Sequence, residues 1–449
     1  MASISQPSSR VGARSSSRRP QAGSRRSTVA GARATGSTMT KAPGWLRTML
    51  DHPLTDMWVI ASVVGLLVGI GLLMGLSASS VFAQASLLGP YYYAVRQVIF
   101  LVLSVPVALV LSRMGPGLLK VAGWVALIVA LVMLMLVVAT PLGQEVNGNR
   151  AWLNIGPIGL QPSEFAKVAL ILWMSTVLSM KERVLDQPRH LLFPLVPGAL
   201  LVCGLVLLQR DLGTGMVMIG IMFAVLWVVG TPWVVLGSLG TLGLAIIGML
   251  VVSSQNRMQR VMLFLRPPDA SDVTVSQQPL SAVYALASGG WFGQGLGASK
   301  QKWGGLYDGA HNDYVFAVLG EEMGLLGTVG VIALFSLLGL FGFRIAMRSD
   351  TLFHRVLAGG ITAWLLMQAM INIAVAMKLV PVLGVPLPFI SVGGSALMAN
   401  VIAAGLLIAC ARHEPAARQH RADAKAEKPR VTTVVQRARQ SARSGAPGR

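Results

Sequence analysis

Roughly ten apolar runs of membrane-spanning length, separated by short polar connections, dominate this chain. A run of about 20 apolar residues is long enough to cross the hydrocarbon core of a bilayer as a helix. Hydrophobic residues make up 54% of the sequence and charged residues only 12%, which excludes an ordinary soluble globular protein. The sequence therefore predicts an all-α polytopic membrane protein. The expected spans are 57–76, 92–112, 118–140, 164–180, 191–208, 212–230, 232–253, 313–342, 354–376 and 394–411.

The distribution of basic residues predicts how these spans are oriented. The connections that follow even-numbered spans contain Lys and Arg, whereas the first connection, 77–90, contains no charge at all. Cytoplasmic loops of membrane proteins carry an excess of Lys and Arg. Both termini are therefore expected in the cytoplasm, and the long segment at about 254–312 is expected to form a large extracellular loop.

The two ends of the chain differ in composition from the middle. Residues 1–50 and 412–449 are basic and poor in bulky apolar residues, so disordered cytoplasmic tails are expected on either side of a transmembrane domain at 51–411. Much of the formal net charge of +20 lies in these tails, which favours positive-inside topology over nucleic-acid binding. Cys203 and Cys410 both lie in apolar runs, which excludes a disulfide framework or a Cys-based metal site.

The unusual polar and Pro/Gly-rich segments all fall on the predicted outer side. Charges and irregular backbone at membrane depth are costly unless they are buried in protein or line a wet cavity. These segments therefore indicate a ligand-binding or catalytic cavity that opens on the outer face. The segments are 150–154, 161–167, 209–214, 254–312 and 386–394.

Several side chains in these segments suit a ligand that contains phosphates and sugars. Arg257 and Arg260 are three residues apart and would share one face of a helix, and arginine binds phosphate well. Solvated surface is the alternative for both. Trp152 would either stack on a sugar ring or lie in the interfacial aromatic belt. Asp211 would either cap a helix, or form an ion pair there, or help to line the cavity.

Carboxylates in the outer segments are candidates for acid–base chemistry. Asp269 and Asp272 lie in a polar loop beside the arginines, where a carboxylate is either merely solvated or acts as a general base. His311 has acidic neighbours, but its spacing from them matches no metal motif. The Gly-Gln-Gly-Leu-Gly run at 293–297 lacks the Gly-Lys-Ser/Thr ending of a P-loop, which excludes a nucleotide-binding loop of that kind.

These segments, in this order, resemble the SEDS family of peptidoglycan glycosyltransferases, the FtsW and RodA type. Among the matches are Gln161-Pro-Ser-Glu-Phe-x-Lys167, Gln209-x-Asp-Leu-Gly-Thr214 and Pro386-Leu-Pro-Phe-Ile-Ser-x-Gly-Gly394. The resemblance runs through about 57–411 and implies ten transmembrane helices. It also implies polymerisation of lipid II into glycan strands at the outer face of the bacterial cytoplasmic membrane. Within the large outer loop it implies a catalytic carboxylate, assigned to Asp272 with Asp269 as the substitute.

The resemblance extends to partners and to residues that bind the substrate. It implies a class B penicillin-binding transpeptidase, other division proteins, and undecaprenyl pyrophosphate as the leaving group. A divalent cation, Mg²⁺ or Mn²⁺, is the one cofactor considered, and no residue is assigned to a metal. The residues expected to bind substrate are Arg150, Trp152, Gln161, Ser163, Glu164, Lys167, Arg210, Asp211, Arg257, Arg260, His311, Asp313, Glu321, Lys378, Pro388 and Ser391.

The basic extensions at both ends favour a division-type enzyme that is recruited to the septum. An elongation-type, RodA-like polymerase is the first alternative. A lipid II flippase is the second, because the same outer cavity and buried acids would serve transport. A non-catalytic scaffold of the division machinery is the third.

Overall fold

The computed structural model describes residues 52–87, 89–146, 148–155, 158–184, 187, 192–265, 277–307 and 309–427. Helices dominate this part of the chain. In order they are α1 (Thr55–Ala85), α2 (Tyr92–Arg113), α3 (Pro116–Ala139), α4 (Pro162–Met180), α5 (Leu195–Leu208), α6 (Leu212–Val229), α7 (Trp233–Val252), α8 (Gln255–Leu265), α9 (Gln277–Ser288), α10 (Val315–Arg348), α11 (Leu352–Ala376), α12 (Gly394–Arg412) and α13 (Pro415–Glu427).

The ten predicted spans all correspond to helices, and the predicted fold class is confirmed. Within the described residues, nine helices are long and apolar enough to cross a membrane, and α5 is a shorter apolar helix of 14 residues. Helix α5 begins at Leu195 rather than at 191, after Pro194, which occupies the N-cap. Helix α10 extends past the predicted end at 342 to Arg348.

Helix α4 lies at the centre of the bundle and α7 at its edge. Helix α4 contacts α3, α5, α6, α11 and α12, and nearly all of its side chains from Pro162 to Leu178 are buried. Its sequence contains several polar groups, which are expensive against lipid and therefore favour a place inside the protein. Leu236 is the one buried residue of α7, whose apolar surface faces outward.

A small antiparallel sheet fills the connection between α3 and α4, where the sequence indicated only an outer loop. Its strands are β1 (Gly143–Val146), β2 (Asn149–Ile155) and β3 (Ile158–Leu160), in the order β1-β2-β3. Gln144 pairs with Trp152 and Asn154 pairs with Gly159. The sheet packs on α3 and α4 and forms part of the wall of the cavity described below.

The connection between α11 and α12 is irregular and enters the bundle. Residues 381–393 of this connection are called the Pro-rich wall. Glycines on two helices admit its backbone. A Cβ on Gly71 of α1 would lie 2.2 Å from the Phe389 carbonyl oxygen, and one on Gly213 of α6 would lie 2.1 Å from the Leu383 carbonyl oxygen. Neither helix is able to carry a larger residue at these positions without displacing the wall.

The C-terminal tail was predicted to be disordered, but its residues Pro415–Glu427 form helix α13. The helix begins at a proline, which is favourable in a first turn, and its composition is rich in alanine. Arg418 forms an ion pair with Asp350, which attaches α13 to the start of α11. The predictions for residues 1–51 and 428–449 lie outside the described residues.

Replacement of Gly71 by alanine is expected to destabilise the protein because the new methyl group collides with the Phe389 carbonyl. Overpacking of this kind typically costs about 1–3 kcal/mol. Gly65 of the same helix is a matched control, since a Cβ there meets nothing within 4 Å. Thermal unfolding in detergent should show a lower melting temperature for Gly71→Ala than for Gly65→Ala. Equal melting temperatures would show that the wall yields without cost.

Candidate functional site

A cavity of about 1390 Å³ opens at one end of the bundle. Its walls come from the last turn of α1, from the start of α2, from the sheet, from the start of α6, from α7 and α8, from the segment before α10, from the Pro-rich wall and from the start of α12. The polar and Pro/Gly-rich segments that the sequence placed on the outer side therefore all contribute to this cavity, as predicted. Of the predicted substrate-binding residues, those that line the cavity are Trp152, Gln161, Arg210, Asp211, Arg257, Arg260, His311 and Asp313.

Four arginines in the described part of the chain line the cavity. Arg257 and Arg260 both project from α8 into it, so the predicted shared helix face is confirmed. Arg257 Nη2 donates to the Arg210 carbonyl at 3.0 Å, where Arg210 holds a left-handed backbone conformation with φ of 64°. Arg96 Nη2 donates to the Gly159 carbonyl at 3.1 Å. Since a guanidinium has five N–H donors, each of these bonds leaves donors for an anionic ligand.

Asp211 both caps a helix and lines the cavity, two roles that the sequence left as alternatives. Its Oδ1 accepts from the Thr214 backbone N–H at 3.0 Å, which makes it the N-cap of α6. Its Oδ2 accepts from Gln161 Nε2 at 3.3 Å. The same carboxylate lines the cavity, so capping fixes the place of a charged group that a ligand is able to reach.

Asp313 is a second carboxyl group in the cavity wall, two residues before α10 begins. Burial raises the pKa of the Asp313 carboxyl to about 6, and the nearby carboxylate of Asp211 acts in the same direction. The Arg260 guanidinium opposes this rise in the pKa. Asp313 therefore changes its charge close to neutral pH, which is a range useful for acid–base or pH-dependent binding roles.

Aromatic rings form another part of the cavity wall. The His311 ring lies 4.9 Å from the Phe82 ring and 5.5 Å from the Tyr93 ring, measured between centroids. Trp152, on β2, also lines the cavity. An indole in that place is available to a sugar face, and stacking by Trp152 stays a prediction.

Other predicted substrate-binding residues lie outside the cavity lining. Arg150 Nη2 donates to the Thr140 carbonyl at 2.7 Å and Nε donates to the Gly143 carbonyl at 3.2 Å, so this side chain holds the end of α3 to β1. Ser163, Pro388 and Ser391 are buried, and Lys378 follows α11 without lining the cavity. Their predicted contact with substrate stays a prediction.

Glu164 and Lys167 form a buried ion pair in α4. Lys167 Nζ lies 2.8 Å from Glu164 Oε1 and also donates to Gln368 Oε1 at 3.0 Å. Both side chains are 1% exposed, and the Lys167 ammonium lies 5.2 Å from the centre of the Trp364 ring. These contacts join α4 to α11 behind the cavity.

Glu321 and its neighbour Glu322 hold the outer segment to α10. The Glu321 carboxylate accepts from the Ser299 hydroxyl at 2.6 Å and from the Lys300 backbone N–H at 3.0 Å. Glu322 forms a salt bridge of 3.0 Å with Lys302. Both buried acids therefore have polar partners in the protein, as charged groups in a membrane protein require.

Sequence analysis missed Arg96 and Gln97 of α2, both of which line the cavity. The available signal was a charged residue within an apolar span, which by default marks a functional site. Asn154 and Glu145 of the sheet were missed because the strands themselves were not predicted. The predicted catalytic residues Asp269 and Asp272 lie outside the described residues. Across the described ranges, no three His, Cys, Asp or Glu side chains form a group able to hold a metal ion.

The fold and the site define a multi-pass helical membrane protein with a cavity at one end of the bundle that is lined by arginines and carboxylates. The family described as "Cell cycle protein", which unites FtsW, RodA and SpoVE, matches residues 57–416. The chain belongs to this family. It is 36% identical over 369 residues to "Probable peptidoglycan glycosyltransferase FtsW" of Mycobacterium tuberculosis, a match that covers 82% of this chain and 70% of the relative.

Further relatives agree with this assignment. "Stage V sporulation protein E" of Bacillus subtilis is 33% identical over 348 residues, which are 78% of this chain and 94% of the relative. Among solved structures, a chain from a peptidoglycan synthase complex has a TM-score of 0.65 at 28% identity and covers 80% of this chain and 98% of its own. Thermus thermophilus RodA has a TM-score of 0.57 at 27% identity, with coverages of 83% and 99%.

Substitution of Lys167 by methionine is expected to destabilise the protein strongly because it leaves the Glu164 carboxylate buried without its cation. Breaking one partner of a buried ion pair typically costs about 3–5 kcal/mol, whereas apolar replacement of both partners costs much less. The melting temperature of Lys167→Met should therefore fall well below that of the double variant Lys167→Met/Glu164→Leu. A double variant as unstable as the single one would contradict the pairing.

Proposed function

We propose that this protein is a peptidoglycan glycosyltransferase that polymerises lipid II at the outer face of the bacterial cytoplasmic membrane. Membership of the FtsW/RodA/SpoVE family and the names of the FtsW relatives support the activity. Those names also support a role in septal wall synthesis during cell division, in preference to an elongation-type enzyme. The division septum is accordingly the proposed location.

The observation that carries this proposal is the charge and shape of the cavity. Four arginines face a space large enough for a substrate headgroup, beside an apolar side formed by Met216, Ile247 and Val251. Lipid II joins a pyrophosphate and sugars to a long hydrocarbon chain, so its binding site needs cations, hydroxyl-binding groups and access from lipid. Arginine forms paired charge-assisted hydrogen bonds with phosphate oxygens. The cavity supplies the first two features, and its place among the spans supplies the third.

The proposed reaction transfers the growing glycan from its lipid carrier to the next lipid II. The 4-hydroxyl of the acceptor sugar attacks C1 of the donor sugar, and the bond from C1 to the pyrophosphate oxygen breaks. A carboxylate takes the hydroxyl proton, which typically contributes about 10²–10⁴-fold to the rate. The family resemblance assigns this role to Asp272, with Asp269 as the substitute. Arginines of the cavity would stabilise the charge of the departing undecaprenyl pyrophosphate.

Two further components belong to the proposal. One is a class B penicillin-binding transpeptidase as partner, together with other division proteins, and the likeness to a chain of a peptidoglycan synthase complex supports such an assembly. The other is a divalent cation, Mg²⁺ or Mn²⁺, which would neutralise pyrophosphate charge in addition to the arginines.

Loss of either α8 arginine is expected to weaken polymerisation. A hydrogen bond to a charged group contributes about 1.5–3 kcal/mol, so Arg257→Ala or Arg260→Ala should lower kcat/KM by about 10- to 100-fold. The assay follows glycan ladders formed from fluorescent lipid II by the full-length protein with its transpeptidase. Arg113→Ala is the matched control, because Arg113 is exposed at the far end of α2 from the cavity.

The same assay separates polymerase from flippase. Glycan ladders that weaken in the α8 variants and persist in Arg113→Ala support the proposed activity. Loss of ladders in Asp272→Ala or in Asp269→Ala would identify the general base. If no condition yields a ladder while lipid II crosses the bilayer of proteoliposomes, the polymerase assignment is wrong and the flippase takes its place.

A further inference from the structure

Three successive backbone carbonyls in the segment that leads into α10 are each held by a neighbouring element. This segment, residues 311–313, is called the α10 entry. Its side chains at both ends, His311 and Asp313, line the cavity. The bonds run from Val392 N to His311 O at 2.9 Å, from Ser391 Oγ to Asn312 O at 2.7 Å, and from Asn372 Nδ2 to Asp313 O at 3.0 Å.

The Asn372 side chain forms hydrogen bonds with both the α10 entry and the Pro-rich wall. Its Nδ2 donates to the Val385 carbonyl at 2.9 Å as well as to the Asp313 carbonyl, so both amide hydrogens are used. The residue is 1% exposed and does not line the cavity. One buried side chain thus sets the spacing between two adjacent segments of the cavity wall.

Gln368 makes the neighbouring contact one helical turn earlier on α11. Its Nε2 donates to the Pro386 carbonyl at 2.9 Å. Its Oε1 accepts from Lys167 Nζ at 3.0 Å and from Trp364 Nε1 at 2.8 Å, which fixes the orientation of the amide. Since residues four apart share one face of a helix, α11 presents two ordered amide groups to the wall.

Ser391, which belongs to the Pro-rich wall, forms hydrogen bonds both within the wall and with the α10 entry. Its hydroxyl oxygen accepts from the Leu387 backbone N–H at 2.8 Å while the hydroxyl donates to the Asn312 carbonyl. It is 3% exposed and, like Asn372, does not line the cavity. Any effect of these two residues on a bound substrate therefore has to pass through the α10 entry or through the Pro-rich wall, and of these two segments only the α10 entry carries the titratable groups His311 and Asp313.

We propose that Asn372 and Ser391 are positioning residues that hold the α10 entry so that Asp313 presents its carboxylate to sugar hydroxyl groups of the substrate. This inference rests on the proposed glycosyltransferase function and adds a hydroxyl-binding group with its support. A binding group has to be held within about 0.5 Å of its productive place. Three hydrogen bonds, one from a backbone N–H and two from side chains, hold the carbonyls of three consecutive residues and provide such restraint.

The charged groups around Asp313 set the expected pH dependence. Arg260 acts on it from α8 and Asp211 from the N-cap of α6. His311 lies in the same segment, and Tyr314 follows Asp313 directly in the chain. The pKa of the Asp313 carboxyl is raised to about 6, so the group is increasingly protonated below that pH and ionised above it. The ionised carboxylate accepts hydrogen bonds from hydroxyl groups. Polymerisation should therefore increase as the pH rises through about 6 and then level off.

The test measures glycan formation from lipid II by the full-length protein with its transpeptidase, across about pH 5 to pH 8. Asn372→Ala is expected to lower kcat by about 10²-fold, the usual effect of a displacement of about 1 Å. It should also shift the acidic limb of the pH profile, which is the pH range over which activity falls as the pH is lowered. Ser391→Ala should change the profile in the same direction, and Ser391→Thr should restore it. Asp313→Asn should abolish the limb, because its amide does not titrate.

Asn400→Ala is the matched control, since Asn400 is an equally buried asparagine on α12 that does not line the cavity. It should keep the wild-type limb and kcat. If Asn372→Ala lowers the rate by the same factor at every pH and leaves the acidic limb where it is, the positioning role is wrong. An equal loss of activity in Asn400→Ala would also overturn it. Ser391→Ala decides the outcome if Asn372→Ala does not fold. If the wild-type protein forms no glycan, the proposed function is overturned as well. If the wild type is active and the acidic limb is unchanged in both Asn372→Ala and Ser391→Ala, this inference alone is overturned.

Discussion

Irregular backbone at membrane depth has to be buried in protein or to line a wet cavity, and the Pro-rich wall does both, with one side held by helices and the other lining the cavity. Helix α11 supplies Gln368 and Asn372 as donors to the wall, and Gly71 and Gly213 give its backbone room. These requirements explain why polar side chains occur in helices that would otherwise be apolar. They also explain why α4 and α11, which carry many of them, lie inside the bundle while α7 faces outward.

Among the described residues, the buried lysines and the arginines of the cavity differ in what neutralises them. Lys167 and Lys302 are buried and each has a carboxylate partner within the protein. Arg96 and Arg257 line the cavity and donate to backbone carbonyls, which satisfy single donors but do not balance the charge. A positive charge at membrane depth is expensive when it is not balanced. The cavity is therefore suited to an anion by the same electrostatics that stabilise the buried pairs.

The helices match the predicted spans within a few residues at most ends. The prediction succeeded because a helix in contact with lipid needs a long apolar sequence, which hydropathy detects. It did not predict the sheet, because short strands outside the membrane leave a weak pattern. Among site residues, a polar group in an apolar run indicates that a partner exists but not whether the partner is protein or ligand. Glu164 and Ser391 found partners in the protein, whereas Arg260 and Asp313 face the cavity. Only the packing of α4, α8 and α11 separates these cases.

The same short segments both build the cavity and face it, which couples folding to chemistry at this end of the bundle. Asp211 caps α6 with one carboxylate oxygen and accepts from Gln161 with the other, while it also contributes charge beside Asp313. A cap alone would tolerate asparagine or serine, since both accept from a backbone N–H equally well. The cap therefore does not use the negative charge of Asp211, whereas in the cavity that charge acts on Asp313. Such dual use means that stability and catalysis constrain the same positions, and only a pair of measurements on each variant, melting temperature and pH profile, distinguishes the two.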